Sequence, residues 1–402
     1  MTLQRIGYRF QIRPTKKQKI FLEKHFGGCR FIYNYLLNLY NEHYKEVNSN
    51  ISWSDLKKEI ARLKKRDEFK WLKEINSQSL QESCLDLIKA LKRFFKKLSK
   101  KPKFKKKLRK QTCKIPQFFE LRRSKKGRFF LIIPKLRTEI RVNVHRKVKG
   151  KIKQVTISKS PSGEYYVSLN CEYIKSGENK IEQKTKSEVG IDLGLTSFIT
   201  LSNGKKRKAP KFLRKSEKKL KAAQKKLSKK VLYSSNWYKT KKKVAVLHNR
   251  VGNQRKDFLH KISHELVNEN QVIYLEDLNV KGMIKNRRLS KSIADVSWSE
   301  FARQLTYKAA WYDKKVVQIG RFEPSSKLCS NCNYINKKLK LQDKRWECKS
   351  CLSRHDRDIN AAKNILKIGQ GMPEFKPVEK PTSVFSFKKR QVGSVKQEPL
   401  SK

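Results

Sequence analysis

The sequence predicts a multidomain protein, α/β in one part and all-β in another, and three observations carry that prediction. Two apolar segments far apart, Val189-Gly190-Ile191-Asp192-Leu193 and Val272-Ile273-Tyr274-Leu275-Glu276, read as buried strands that break on acid. Between Cys113 and Tyr173 the hydrophobic pattern alternates with period two, as in an all-β module. Near the C-terminus Cys329, Cys332, Cys348 and Cys351 form two C-x₂-C pairs with 15 residues between them.

Taken in order, residues 4–12 alternate well enough for a strand. Pro14-Thr15 stops it and opens a helix over Lys17 to Phe26. Gly27-Gly28 is expected to break that helix before a second one over Phe31 to Tyr44. A plain helical hairpin is preferred here to a helix-turn-helix, which needs more than a glycine break. Ser52 to Lys64 and Ser77 to Leu98 read as further helices, with Leu56, Ile60 and Leu63 on one face and Leu80, Cys84, Leu87, Leu91 and Phe95 on the other's. Lys96 to Lys110 is a basic run suited to facing phosphates.

Strands are expected at Arg128 to Pro134, Glu139 to Val144, Lys153 to Lys159 and Tyr165 to Tyr173, with a turn at Pro161-Ser162-Gly163. Together they suggest a small β-barrel to which the strand at 4–12 can belong, making the helices an insertion. Lys175 to Ser187 reads as a linker. Residues 188–201 form a hairpin. Ser216 to Val231 and Asn236 to Asn268 are basic helices, the second with Val244, Leu247, Val251, Phe258, Ile262 and Leu266 on one stripe. After the Glu276 strand come a basic loop through Lys291, a helix over Trp298 to Tyr312 and a strand over Lys315 to Arg321. Asp356-Arg357-Asp358 then opens a short helix. This order fits an RNase H-like α/β fold, whose central sheet brings carboxylates from separate segments to one edge.

A carboxylate at the end of an apolar strand is costly unless something compensates its desolvation. Any one of these acids alone reads most simply as a turn former or helix cap. Three together, in a chain with 99 Lys+Arg against 35 Asp+Glu and a formal charge of +64, point to Mg²⁺ and phosphate chemistry. Such a charge calls for a polyanionic partner, and the interleaved Phe, Tyr and Trp favour nucleic acid over an anionic membrane surface. No run of 18 apolar residues is present and the N-terminus lacks an apolar signal core, so no membrane span and no secretion are expected.

The two C-x₂-C pairs match a tetrahedral Zn²⁺ site closed by four thiolates, hence structural. His355 is not expected as a fifth ligand. Cys29, Cys84, Cys113 and Cys171 are scattered and read as buried free thiols, consistent with a reducing compartment.

Asp192 in GIDLGL, Glu276 in YLEDL, the four-cysteine ribbon and DRDINAAKNIL directly after it resemble the TnpB family of transposon-encoded RNA-guided nucleases, relatives of type V CRISPR effectors. YRFQIRPTKKQ, HFGGCRFIYNYLL and the tail segments VEKP and VKQE extend the resemblance over nearly the whole chain. It implies a β-barrel wedge domain (1–13 and 108–178), a helical recognition domain (14–107), a RuvC-like nuclease domain (186–323 and 355–370), a zinc ribbon (324–354) and a disordered tail (371–402). It implies Mg²⁺ on Asp192, Glu276 and Asp358, a guide RNA from the transposon end with one protein per guide, and a DNA target, double- and single-stranded. The implied location is the prokaryotic cytoplasm at the nucleoid. A guide-independent transposase or accessory DNA-binding protein is the alternative. The family pattern sets the acid just before x-Asn-Ala-Ala, favouring Asp358 over Asp356, which is left to cap the helix. Family ribbons often carry Gly after the second Cys of each pair, where this chain has Asn333 and Leu352.

Overall fold

The computed structural model describes residues 2–175, 187–321, 323–340 and 342–371. Nearly all of the expected linker and tail lies outside them. The chain forms two compact units, one of Met1–Ser187, Lys208–Val272 and Asn279–Val316, the other of Glu188–Arg207, Ile273–Leu278 and Val317–Lys402.

The first unit opens with β1 (Thr2–Arg13), followed by α1 (Lys16–Val47), α2 (Trp53–Lys65), a 3₁₀ segment (Asp67–Glu74) and α3 (Ser77–Phe95). Then come β2 (Gln111–Ile115), β3 (Glu120–Arg123), β4 (Phe129–Ile132), β5 (Ile140–Asn143), β6 (Lys151–Lys159) and β7 (Tyr165–Lys175). The strands form one antiparallel sheet in the order β2-β6-β7-β1-β5-β4-β3, so β1 pairs with a strand about 160 residues later in the chain. Period-two alternation puts Tyr8, Phe10, Ile12, Val155, Ile157, Val167 and Leu169 on one buried face.

Residues 16–47 are one uninterrupted helix, so the expected break at Gly27-Gly28 is wrong. A Cβ at Gly28 would lie 2.9 Å from Ile75 Cγ1, so this glycine serves close packing rather than chain reversal. Two helical glycines cost about 1 kcal/mol each against alanine. Burial of Leu22, Phe26 and Cys29 against the sheet, and of Ile32, Leu36, Leu37 and Tyr40 among α2 and α3, outweighs that. A Thr15–Gln18 capping box starts the helix.

The same unit holds α4 (Phe212–Ser228), α5 (Ser235–Glu269), the short α6 (Val280–Met283) and α7 (Ser290–Val296), and α8 (Trp298–Trp311). Residues 218–256 contain no acidic side chain. On α5, Val251, Ile262 and Leu266 are buried, while Val244, Leu247 and Phe258 are half-buried. Helix α8 seats on α5 through Gln304, whose Oε1 accepts from Ser263 Oγ at 3.1 Å, and Lys308, whose Nζ donates to Ser263 Oγ and His260 O at 2.8 Å each. No described helix is long and apolar enough to cross a membrane.

The second sheet has the order β10-β9-β8-β11-β12, built from β8 (Glu188–Leu193), β9 (Ser197–Leu201), β10 (Lys206–Lys208), β11 (Val272–Glu276) and β12 (Lys315–Ile319). The hairpin β8–β9 is antiparallel, with Asp192 opposite Thr200. The hairpin of β13 (Arg345–Glu347) and β14 (Arg354–Asp356) leads directly into α9 (Arg357–Gly369). Helix α9 lies against the sheet at a distance only glycine permits. A Cβ on Gly190 of β8 would meet Ala362 O at 2.1 Å, and one on Gly369 would meet the Tyr274 ring of β11 at 2.0 Å.

Candidate metal centres

The cysteine site is built from two tight turns. Cys329 and Cys332 sit on the first, Cys348 and Cys351 on the second, and their sulfurs all lie within 4.8 Å of one another. Sγ–Sγ is 3.7 Å for Cys329–Cys351 and 3.5 Å for Cys332–Cys348. Tetrahedral zinc with Zn–S bonds of about 2.3 Å requires sulfurs about 3.8 Å apart, so the donor set fits Zn²⁺. Each turn closes by a backbone hydrogen bond, Asn333 N–H to Cys329 O at 3.0 Å and Leu352 N–H to Cys348 O at 2.9 Å. Asn333 (φ 63°) and Leu352 (φ 57°) adopt the left-handed conformation that favours glycine. The turn geometry is therefore kept without glycine, at a backbone cost larger for Leu352 than for Asn333. His355 Nε2 lies 3.1 Å from Cys329 Sγ, a hydrogen-bond distance to the sulfur, and its ring packs on Trp346 with centroids 4.7 Å apart.

The carboxylate site draws on three elements of the same unit. Asp192 stands near the end of β8, Glu276 ends β11, the neighbouring strand, and Asp358 lies in the first turn of α9. Burial, then the charges of Glu276 and Asp358, push the Asp192 carboxyl up to about 7, with Arg357 and Lys344 acting in the other direction. A buried carboxyl whose proton affinity is raised by two neighbouring acids belongs to a donor set suited to a hard divalent cation. Asp358 is also faced by Lys344 at 3.6 Å, Arg357 at 3.7 Å and Lys206 at 4.0 Å. The acids are more widely spaced than the thiolates: among the described residues, only the four cysteines form a group of three or more donors within 4.8 Å.

Asp356 does different work. Its carboxylate accepts from Asp358 N–H and Ile359 N–H, both at 3.1 Å, and so caps α9. Lys206 Nζ lies 2.8 Å from both its oxygens. Burial opposes ionisation, but the Lys206 ammonium and the helix N–H groups hold Asp356 below the usual carboxylate range.

Sequence reasoning missed the residues that join the two sites. Ser325 Oγ donates to Glu276 Oε1. Asn360, 1% exposed, donates to Leu328 O at 2.6 Å and accepts from Ser330 N–H at 2.8 Å. Asn364, fully buried, donates to Ser325 O at 2.8 Å and Leu328 O at 2.6 Å. The available signal was the i,i+4 spacing of two asparagines on the helix face that also carries the apolar Ala361 and Ile365.

Fold and sites together define an α/β protein with a four-cysteine cluster that fits a zinc ribbon. Residues 169–287 match a family model described as "Probable transposase", residues 298–365 one described as "Cas12f1-like, TNB domain", and residues 1–49 one described as "Helix-turn-helix domain". In this chain that last segment is a strand and one continuous helix. A curated Streptomyces pristinaespiralis protein named "Putative RNA-guided DNA endonuclease" is 35% identical over 98% of this chain and 96% of its own length. The Escherichia coli protein "Putative RNA-guided DNA endonuclease InsQ" is 33% identical over 91% and 92%. Of solved structures, the Cas12f1 chain in a complex with guide RNA and target DNA aligns with a TM-score of 0.53 at 15% identity, covering 87% of this chain and 83% of that one, a likeness of fold. The chain belongs to the TnpB family.

Proposed function

We propose that this chain is an RNA-guided DNA endonuclease of an insertion sequence, with Asp192, Glu276 and Asp358 as the metal-binding acids of a RuvC-like, RNase H-like centre. The observation that carries the reading is the gathering of three acids, from segments far apart in sequence, at strand and helix ends of one small sheet. The strand order, with the first three strands as a meander and the two later strands added beside the first, supports the RNase H-like assignment. The names of the two bacterial relatives support the activity.

Mg²⁺ bound there would supply Lewis-acid activation of water and stabilisation of the leaving oxygen. The chain's own part is positional. Ser325 fixes one oxygen of Glu276 and so the orientation of its carboxylate. Asp356 fixes the start of α9 and with it the direction of Asp358. Lys344, Arg357 and Lys206 balance the charge of Asp358. The 39 residues without acid over 218–256 offer a phosphate-binding surface on which a guide–target duplex is held through its backbone. The four cysteines would hold a structural Zn²⁺.

The description "Probable transposase" favours a second reading, a guide-independent transposase. Sequencing the RNA that co-purifies from cells carrying the native flanking DNA separates the two. One discrete RNA ending in sequence from beyond the element, and cutting only of DNA that matches it, is the expected result. A smear of host RNA that washes off in high salt, with cutting or joining of DNA that ignores sequence match, would give the protein to the second reading.

A further inference from the structure

The two metal centres share one segment of chain. Residues 325–330 run from the end of the Glu276 contact to the first zinc knuckle, and every polar link between them and α9 is buried or nearly so. At one end Ser325 Oγ holds Glu276. At the other, Cys329 is flanked by Leu328 and Ser330, both gripped by the single side chain of Asn360, through Leu328 O at 2.6 Å and Ser330 N–H at 2.8 Å. One turn on, Asn364 grips Ser325 O and Leu328 O, and Lys367 Nζ donates to Ser330 O. Asn360 lies two residues after Asp358 on the same helix. The ribbon is tied to that helix a second time, because β14 places His355 against the Cys329 sulfur and the next residue, Asp356, caps α9.

We propose that Asn360, Asn364 and Ser325 are positioning residues that make the zinc knuckle a brace for the carboxylate centre, so that zinc occupancy sets the relative placement of Glu276 and Asp358. Buried amides are costly unless they are bonded, and here Asn360 uses both its amide oxygen and its amide nitrogen while Asn364 uses its nitrogen twice. Packing alone would be served as well by leucine or alanine. Their four bonds all fall on the segment 325–330, and none goes to α9's own backbone or to the sheet. A knuckle that loses its metal loses the turn that presents Leu328 O and Ser330 N–H, and with it the constraint on both acids. The zinc is thus remote from the reaction and still felt by it.

This inference rests on the assignment of Asp192, Glu276 and Asp358 to metal binding, and its test reads the metal directly. Full-length protein with its co-purified RNA is titrated with Mn²⁺ and followed by electron paramagnetic resonance, with zinc content measured in parallel. Ser325→Ala and Asn360→Ala are expected to weaken Mn²⁺ binding by about tenfold or more, the range for removing a group that orients a metal ligand. Ser325→Ala should retain its zinc, and Ser325→Thr should restore Mn²⁺ binding by restoring the hydroxyl. Stripping zinc from the native protein with a thiolate-selective chelator should weaken Mn²⁺ binding as the asparagine change does. Native Mn²⁺ affinity in folded Ser325→Ala and Asn360→Ala, or in zinc-free protein, would overturn the brace. Wild-type protein that binds no Mn²⁺ while Asp192→Ala behaves identically would instead overturn the carboxylate assignment, so the two failures are distinct.

Discussion

The cysteine site and the carboxylate site lie in the same compact unit, yet they are specified in opposite ways. The cysteines come from two local turns, and their sulfurs stand at metal-binding spacing in a geometry closed by backbone hydrogen bonds. The acids come from three distant elements and stand further apart, and burial, then the charges of Glu276 and Asp358, raise the Asp192 proton affinity. A soft-metal site that stabilises a fold can be assembled from neighbours in sequence. A hard-metal site that acts on substrate must gather charge that repels itself, so the rest of the fold has to hold it there. In the proposed centre that task would fall to the close packing at Gly190 and Gly369 and to the hydrogen bonds of Ser325 and the two asparagines.

The largest effect separating the sites should follow from the cysteines. Replacing Cys329 and Cys348 by serine removes a site whose metal-binding energy is about 10 kcal/mol in comparable knuckles. Loss of one zinc per chain by elemental analysis, with rapid proteolysis between residues 325 and 356, is the expected outcome; a ribbon that stays protected without metal would break the contrast. Next are the paired acids at the start of α9. Asp358→Asn should lower DNA cutting by about a thousandfold or more. Asp356→Asn should lower it by no more than about threefold, because asparagine caps a helix as well as aspartate and only the Lys206 pairing is lost. Equal losses in the two variants would place both in the centre.

A smaller effect is expected from Gly190→Ala. The added methyl meets the α9 backbone at 2.1 Å, so the unit should lose about 3 kcal/mol, read as a drop in Tm, with zinc retained. An effect no larger lies outside both sites. His25 is buried, its Nδ1–H on Phe21 O at 3.0 Å and its Nε2 accepting from Asn76 N–H at 3.3 Å. Burial depresses it to about 4. An unfolded histidine takes its proton near 6.5, so between pH 6.5 and 4 the unfolded chain binds more protons than the folded one. Stability should fall by up to about 3 kcal/mol over that window. A flat chemical-denaturation midpoint across it, or the same slope in His25→Gln, would refute this.

How much of this was readable in advance depended on whether the cause was local. Alternation gave β1 and β4 to β7, because one buried face leaves a period-two trace, while short apolar runs ending on acid gave the strands bearing Asp192 and Glu276. The four-cysteine cluster followed from spacing alone. Strands β2, β3 and β10 are five residues or fewer and carry too few apolar positions to stand out. Gly27-Gly28 misled because the reason for Gly28 is Ile75, 47 residues away, and no local rule reports that contact. Asp356 and Asp358 could be ranked only by resemblance, until the cap hydrogen bonds gave each a separate environment. The hydroxyl of Ser325 left no mark at all, since its partner is 49 residues earlier.

The central claim is that the acids cut while the rest of the molecule binds. The most direct test is cleavage of a duplex matching the co-purified RNA, by native protein and Asp192→Ala, in Mg²⁺ and with RNA content measured in both. Native cutting, a loss of about a thousandfold or more in the variant, and equal RNA in the two preparations is the result this account predicts. Undiminished cutting by Asp192→Ala, or loss of RNA together with loss of cutting, would contradict it.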